Sequence, residues 1–259
     1  MKEVLYNKQG AIATITLNRP DTLNAMTGAM MGEFVSCMKE ADDPAVRAIL
    51  LKANGRAFCA GGDLNYFKKL IEQKKVFSQE LLKNLVAAVS LIRTIEKPVV
   101  ACVQGAAAGA GAPLALACDM IVASENMKMS FAYARIGLSP DGSASFFLPR
   151  HIGLKKAAEL FMLCPQLSAT EALNLGLVNW VVSQEELDEK ANKIVQTLAQ
   201  GPTQSYAKCK KLLNQSHDND LMTQLSLEGD LILESSQTQD FKEGVQAFLE
   251  KRQPCFKGE

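Results

Sequence analysis

Histidine is scarce. Only His151 and His217 occur in 259 residues, so a histidine-dependent triad has few candidates, and no His/Cys group stands at zinc-ligand spacing. The seven cysteines include no CxxC pair. An odd number scattered in this way is expected of reduced thiols used as small apolar residues, which suggests a cytoplasmic protein without a metal site. Neither sign of charge is in excess, with 28 basic and 28 acidic side chains. That balance removes the electrostatic case for nucleic acid as a partner. No apolar run is long enough to span a bilayer, so no membrane partner is expected. The opening MKEVLYNKQGAIATITLN lacks a long apolar core and reads as a first strand, not a leader.

What is present fits one large domain or a domain with a helical extension. Residues 11–17 alternate threonine with apolar side chains, as a half-buried strand does. A loop follows, and Thr27 caps a helix running to about residue 41. Residues 46–53 and 98–103 read as strands, with helices near 64–74 and 79–95 between them. A helix over 109–118 leads to DMIVASE and a short strand at MKMSFA, then helices near 142–149, 154–163 and 169–175. A late strand is expected at 177–182. Beyond 183 only three or four amphipathic helices remain; the last places Phe241, Val245, Phe248 and Leu249 on one face, which needs a partner surface. Repeated strand–loop–helix units argue for an α/β fold with largely parallel pairing. The expected division is a core over 1–195 and a helical region over 196–259.

Two loops after strands carry almost no side chains: AFCAGGDL (57–64) and QGAAAGAGAPL (104–114). Neither matches a dinucleotide fingerprint or a P-loop. One such loop alone suggests tight helix packing. A pair, each ending its own strand, suggests two converging N–H donors, which is an oxyanion hole.

These loops, with RPDTLNAM (19–26), ACDMIVASE (117–125), GLSPDGSASFFLPRHIG (137–153) and DFKEGVQAFLEKRQPCF (240–256), resemble in order the blocks of the crotonase, or enoyl-CoA hydratase/isomerase, superfamily. The nearest flavour is its acyl-CoA isomerase branch, similar to the epoxyphenylacetyl-CoA and enoyl-CoA delta isomerases. The resemblance implies a ClpP/crotonase-like spiral of ββα units with a C-terminal helical region that builds a homotrimer or hexamer. It implies an acyl-CoA thioester as substrate, with coenzyme A part of that substrate and no separate cofactor. The oxyanion donors would be the N–H groups of Gly62 and Ala110, beside Gly109. Leu23, Asn24 and Ala25, with Ala60, Gly61, Asp63 and Leu64, would line the coenzyme A tail. Phe256 and Lys257 match a segment that reaches a coenzyme A site, often in a neighbouring subunit.

Hydratases of that superfamily use two glutamates, and the matching positions here are Pro113 and Tyr133. Neither is a carboxylate, so both are expected only as pocket wall, with the Tyr133 hydroxyl able to orient substrate or water. The remaining acid in a matched place is Asp141. On spacing alone, an aspartate after proline and ahead of SASFFLP is a helix N-cap; with the surrounding blocks, a proton shuttle is favoured, and the two roles can coexist. Asp63 is also a natural cap, and Asp119 a structural acid. His151 is expected to be partly buried and Trp180 to be core. The leading expectation is an isomerase working through an oxyanion-stabilised enolate. The alternatives are a hydratase with a non-standard acid/base, a dehalogenase-like use of Asp141 as nucleophile, and a non-catalytic acyl-CoA-binding paralogue. The dehalogenase route also needs a histidine in LLKNLVAAVSLIRTI, which has none.

Overall fold

The protein is described by a computed structural model covering residues 2–74 and 79–259. Strands β1 (Val4–Gln9) and β2 (Ile12–Leu17) form a hairpin, followed by helix α1 (Gly28–Glu40) and β3 (Ala48–Ala53). Helices α2 (Leu64–Glu72) and α3 (Gln79–Thr94) lead to β4 (Val99–Val103), β5 (Ala106–Ala108), α4 (Gly111–Leu116), β6 (Met120–Ser124) and β7 (Lys128–Ser130). Then come α5 (Ala144–Met162), β8 (Leu167–Ser168), α6 (Ala169–Asn174) and β9 (Trp180–Val182). Four helices finish the chain: α7 (Leu187–Gln200), α8 (Thr203–Gln215), α9 (Leu221–Ser236) and α10 (Gln239–Leu249).

The larger sheet has the order β1-β2-β3-β4-β6-β9, and only its first pair is antiparallel. In β2 the side chains of Ala13, Ile15 and Leu17 are buried and those of Ile12, Thr14 and Thr16 are half-buried, the period of two that a pleated strand imposes. All five residues of β4 are buried, as expected for a central parallel strand covered on both faces. Register aligns Ile15 with Leu51, Leu51 with Ala101 and Ala101 with Ile121, so one row of apolar side chains crosses the sheet into the main core. The opposite face, with Leu50, Val100, Cys102 and Val122, is covered by Leu187, Ala191, Val195 and Leu198 of α7. The expected boundary at 195/196 falls inside this helix.

The smaller sheet, β5-β7-β8, contains a strand that the sequence hides, because Ala106–Ala108 carries no strand-forming side chain. It pairs with β7 on one side, and Ala107 bridges Cys59 of the first bare loop on the other. Helix α1 starts as expected, with the Thr27 hydroxyl accepting from Met30 N–H at 3.1 Å. The two helices expected near 142–149 and 154–163 meet in α5 at Gly153, whose φ of 76° and ψ of 163° interrupt the helix.

The C-terminal segment folds back on its own chain. Asp240 accepts from Lys257 N–H at 2.7 Å and Gly258 N–H at 2.8 Å, and Arg47 donates to Phe256 O at 2.9 Å. Phe241, Val245, Phe248 and Leu249 of α10 are all exposed. No helix among the described residues is long and apolar enough to cross a membrane.

Candidate active site

The two bare loops lie against each other. Cys59 N–H donates to Ala106 O and Ala108 N–H to Cys59 O, both at 2.9 Å, so the first loop runs beside β5 like a further strand. Gly61 has φ of 93°, and a Cβ placed there would lie 2.8 Å from Ala108 O and 3.2 Å from Ala110 N. Only glycine fits this contact. Gly109, with φ of 50°, turns the second loop and donates its N–H to Ser130 O at 2.9 Å. The N–H groups of Gly62 and Ala110 donate to no acceptor among the described residues. Main-chain donors left open beside a cleft can hold a developing oxyanion.

The cleft in front of them has a volume of about 250 Å³. Met26, Leu64, Phe67, Leu81, Leu85 and Leu138 give it an apolar wall. Its polar groups are Tyr133, Arg135 and Asp141, so Asp141 is its one carboxylate among the described residues. Arg135 is committed in part, donating to Cys164 O at 2.6 Å.

Asp141 does not cap a helix with its side chain. Helix α5 begins after Ser143, which makes no side-chain cap, and Asp141 contributes only its backbone carbonyl to Ala144 N–H at 3.0 Å. Its carboxylate instead accepts the Tyr133 hydroxyl at Oδ1, 2.8 Å away. Burial among the apolar wall pushes the Asp141 carboxyl above the usual carboxylate range, and the Tyr133 hydrogen bond offsets part of that rise. Burial, then the Asp141 charge, pushes the Tyr133 phenol far above its ordinary value. Tyr133 therefore stays protonated and remains a donor.

Of the residues singled out in the sequence, Ala60, Gly62, Leu64, Gly109, Ala110, Tyr133 and Asp141 line this one cleft. Several other expected contacts do not line it. Asn24 is fully buried, its amide donating to Asn54 O and Ala57 O at 2.9 and 2.8 Å and its carbonyl accepting Arg19 N–H. Its side chain is therefore spent on holding the loop. Leu23 fixes Ala60 N–H through its carbonyl at 3.0 Å, and Ala25 is buried. Gly61 faces the second loop. Asp63 caps α2 at Asn65 and Tyr66 N–H and pairs with Arg19 at 3.0 Å. Pro113 is buried, its Cγ 3.3 Å from where a Gly142 Cβ would sit. Phe256 and Lys257, expected at a coenzyme A site often in a neighbouring subunit, pack against α10 of their own chain.

Met26, Phe67, Leu81, Leu85, Arg135 and Leu138 line the cleft without having been anticipated. Leu81 and Leu85 stand four apart on α3, which signals a buried helix face, but which surface that face meets is a tertiary matter. His151 is exposed, Trp180 is half-buried with Lys190 Nζ 5.5 Å from its ring, and neither lines the cleft. Asp119 is structural, as expected: it accepts from Val99 N–H, Arg93 and Lys210.

Comparison with known proteins agrees with this geometry. The family model for enoyl-CoA hydratase/isomerase matches residues 7–259. A Rhodobacter capsulatus protein named "Probable enoyl-CoA hydratase" is 38% identical, over 98% of each chain. The 1,2-epoxyphenylacetyl-CoA isomerase of Escherichia coli is 36% identical, over 100% of this chain and 99% of its own. A solved enoyl-CoA hydratase from a Polaromonas species superimposes with a TM-score of 0.93 at 33% identity, covering 98% of this chain and 99% of that one. Open main-chain donors from two bare loops, set over a one-carboxylate cleft in a crotonase-like fold, are thus the features of a chain that belongs to the enoyl-CoA hydratase/isomerase family.

Proposed function

We propose that the protein isomerises an unsaturated acyl-CoA, with Asp141 as its proton shuttle and the N–H groups of Gly62 and Ala110 as its oxyanion hole. The observation that carries this reading is that Asp141 is the single carboxylate of the cleft among the described residues. Adding water across a double bond calls for one group to activate water and another to deliver a proton to carbon. Where the family's hydratases place glutamates, this cleft offers Tyr133, held in its protonated form, and the buried Pro113 offers nothing.

Isomerisation needs one group that takes a proton and returns it. The Asp141 carboxylate removes a proton from C2 of a β,γ-unsaturated thioester. The electron pair spreads onto the thioester oxygen, where the two N–H groups stabilise the dienolate. The same proton returns at C4, and the double bond moves into conjugation. No atom is gained or lost. The raised Asp141 pKa suits this work, because it brings the base closer to its carbon acid. The apolar wall of Leu64, Leu81, Leu85 and Leu138 fits a hydrocarbon acyl group. Isomerase chemistry is also the named activity of the Escherichia coli relative.

The test is a panel of β,γ-unsaturated acyl-CoAs read by the ultraviolet absorbance of the conjugated thioester, set against hydration of crotonyl-CoA. Isomerisation greatly exceeding hydration supports the reading. Efficient crotonyl-CoA hydration overturns it.

A further inference from the structure

The two oxygens of the Asp141 carboxylate are not equivalent. Oδ1 accepts the Tyr133 hydroxyl at 2.8 Å, and the same hydroxyl lies 3.3 Å from the Asp141 backbone carbonyl. No other residue among the described residues donates to Oδ2, and the one further hydrogen bond acting on the carboxylate comes from Asp141's own backbone. The phenol is itself held firmly. Tyr133 is only 6% exposed, and its N–H and carbonyl are tied within its own turn, to Phe131 O at 2.9 Å and from Leu138 N–H at 3.1 Å. On the other side, Asp141 enters a bend in which Gly142 and Ser143 both have positive φ, 56° and 72°.

Resting on the isomerase reading above, we infer that Tyr133 is a positioning residue that locks Oδ1 of Asp141, leaving Oδ2 alone to carry the proton between the two substrate carbons. A carboxylate free to rotate about its Cβ–Cγ bond would present either oxygen to either carbon. The anchored one presents a single oxygen throughout. The anchor also survives the whole cycle. When Oδ2 is protonated, Oδ1 becomes the carbonyl oxygen of a neutral acid and still accepts from the phenol. Tyr133 therefore never has to move, which is preorganisation in the sense that matters for rate. The bond is stronger to the anion than to the neutral acid, so it opposes the desolvation that burial imposes.

Among the described residues, few other ionisable groups face the pair. Arg135 lines the same cleft from the Tyr133 turn. The Cys59 thiol lies beneath the first loop and stays neutral, its pKa pushed up to about 12 by burial. Helix α3 presents Leu81 and Leu85, α2 presents Leu64 and Phe67, and the segment before α1 presents Met26. None of these five titrates.

The experiment uses Tyr133→Phe, which keeps the ring and deletes only the hydroxyl. The first readout is the ¹³C carboxyl titration of aspartate-labelled, substrate-free protein, with Asp141→Asn identifying the resonance. The second is the pH profile of kcat/KM on a β,γ-unsaturated acyl-CoA. In Tyr133→Phe the Asp141 midpoint and the acid limb are both expected to move to higher pH. Plateau kcat should fall on the order of tenfold, the worth of one hydrogen bond to a charged group, with KM little changed. Ring-fluorinated tyrosine, a stronger donor, should move the midpoint the other way, so the inference is testable even if the phenylalanine variant folds poorly. An Asp141 midpoint that both changes leave unmoved overturns the inference whatever the activity. A midpoint that moves in a parent protein without isomerase activity overturns the shuttle reading instead, and with it the proton-carrying role of Oδ2.

Discussion

Replacing Gly61 with alanine drives a methyl group between the two loops that form the proposed oxyanion hole. The Cβ would lie 2.8 Å from Ala108 O and 3.2 Å from Ala110 N, and both neighbours are main-chain atoms that cannot swing aside. The φ of 93° adds strain of its own. Left-handed backbone costs an alanine roughly 1–2 kcal/mol, and overpacking a tight contact costs about 1–3 kcal/mol more. Gly10 supplies the control. Its φ is 58° and nothing lies within 4 Å of its would-be Cβ, so Gly10→Ala carries the strain without the wedge. For a chain of this size each kcal/mol lowers Tm by roughly 2–4 °C, so Gly61→Ala should melt several degrees below Gly10→Ala. Turnover should fall further than stability suggests, because a misplacement on the order of 1 Å costs about a hundredfold. The assay pairs thermal melts with isomerase turnover at a temperature where both variants are folded. Equal melting of the two variants, with parent-level turnover in Gly61→Ala, would refute the close-contact argument.

Three further outcomes are expected. Asp119→Ala leaves Arg93 and the buried Lys210 without the carboxylate they share at 3.1 and 2.8 Å; stability measured by urea unfolding should drop by about 3–5 kcal/mol. Burial raises the folded-state pKa of Asp141, so its contribution to stability is complete below the unfolded value near 3.9 and is lost as pH rises through the folded value. At pH 7 Asp141→Asn should therefore melt above the parent, and the advantage should shrink in melts taken towards pH 4. Light scattering at assay concentration should show a trimer or hexamer, because apolar side chains such as Leu221, Ile232, Phe248 and Leu249 stand exposed on the last helices; a monomer would contradict this.

Local pattern made much of the architecture readable. The alternation in β2, the Thr27 cap of α1 and the all-apolar β4 each followed from side chains within a few residues of one another. What stayed hidden depended on distant partners. Ala106–Ala108 is a strand only because Cys59 and β7 flank it. The α5 break at Gly153 was anticipated as a gap between two helices, since both flanking segments carried their own helical pattern. In the site, the bare loops suggested converging N–H donors; that the two loops also pack against each other, closest at Gly61, was not stated by either loop alone. Asp141 was ambiguous in sequence because a cap and a base look alike beside proline. The structure removes the side-chain cap: the Tyr133 hydroxyl, eight residues earlier, takes the carboxylate that a cap would have spent on α5. The apolar wall from α3 was out of reach, since nothing in Leu81 or Leu85 states which cleft their helix face closes.

The most direct test of the central claim is the isomerase activity of Asp141→Asn measured alongside its affinity for coenzyme A thioesters. The proposed oxyanion donors are backbone groups on other loops, and they do not depend on the carboxylate. Asparagine keeps the acceptor for Tyr133 but cannot take a proton from carbon. The account predicts that double-bond migration is abolished while thioester affinity stays near that of the parent. Full isomerase activity in a folded Asp141→Asn protein would contradict it.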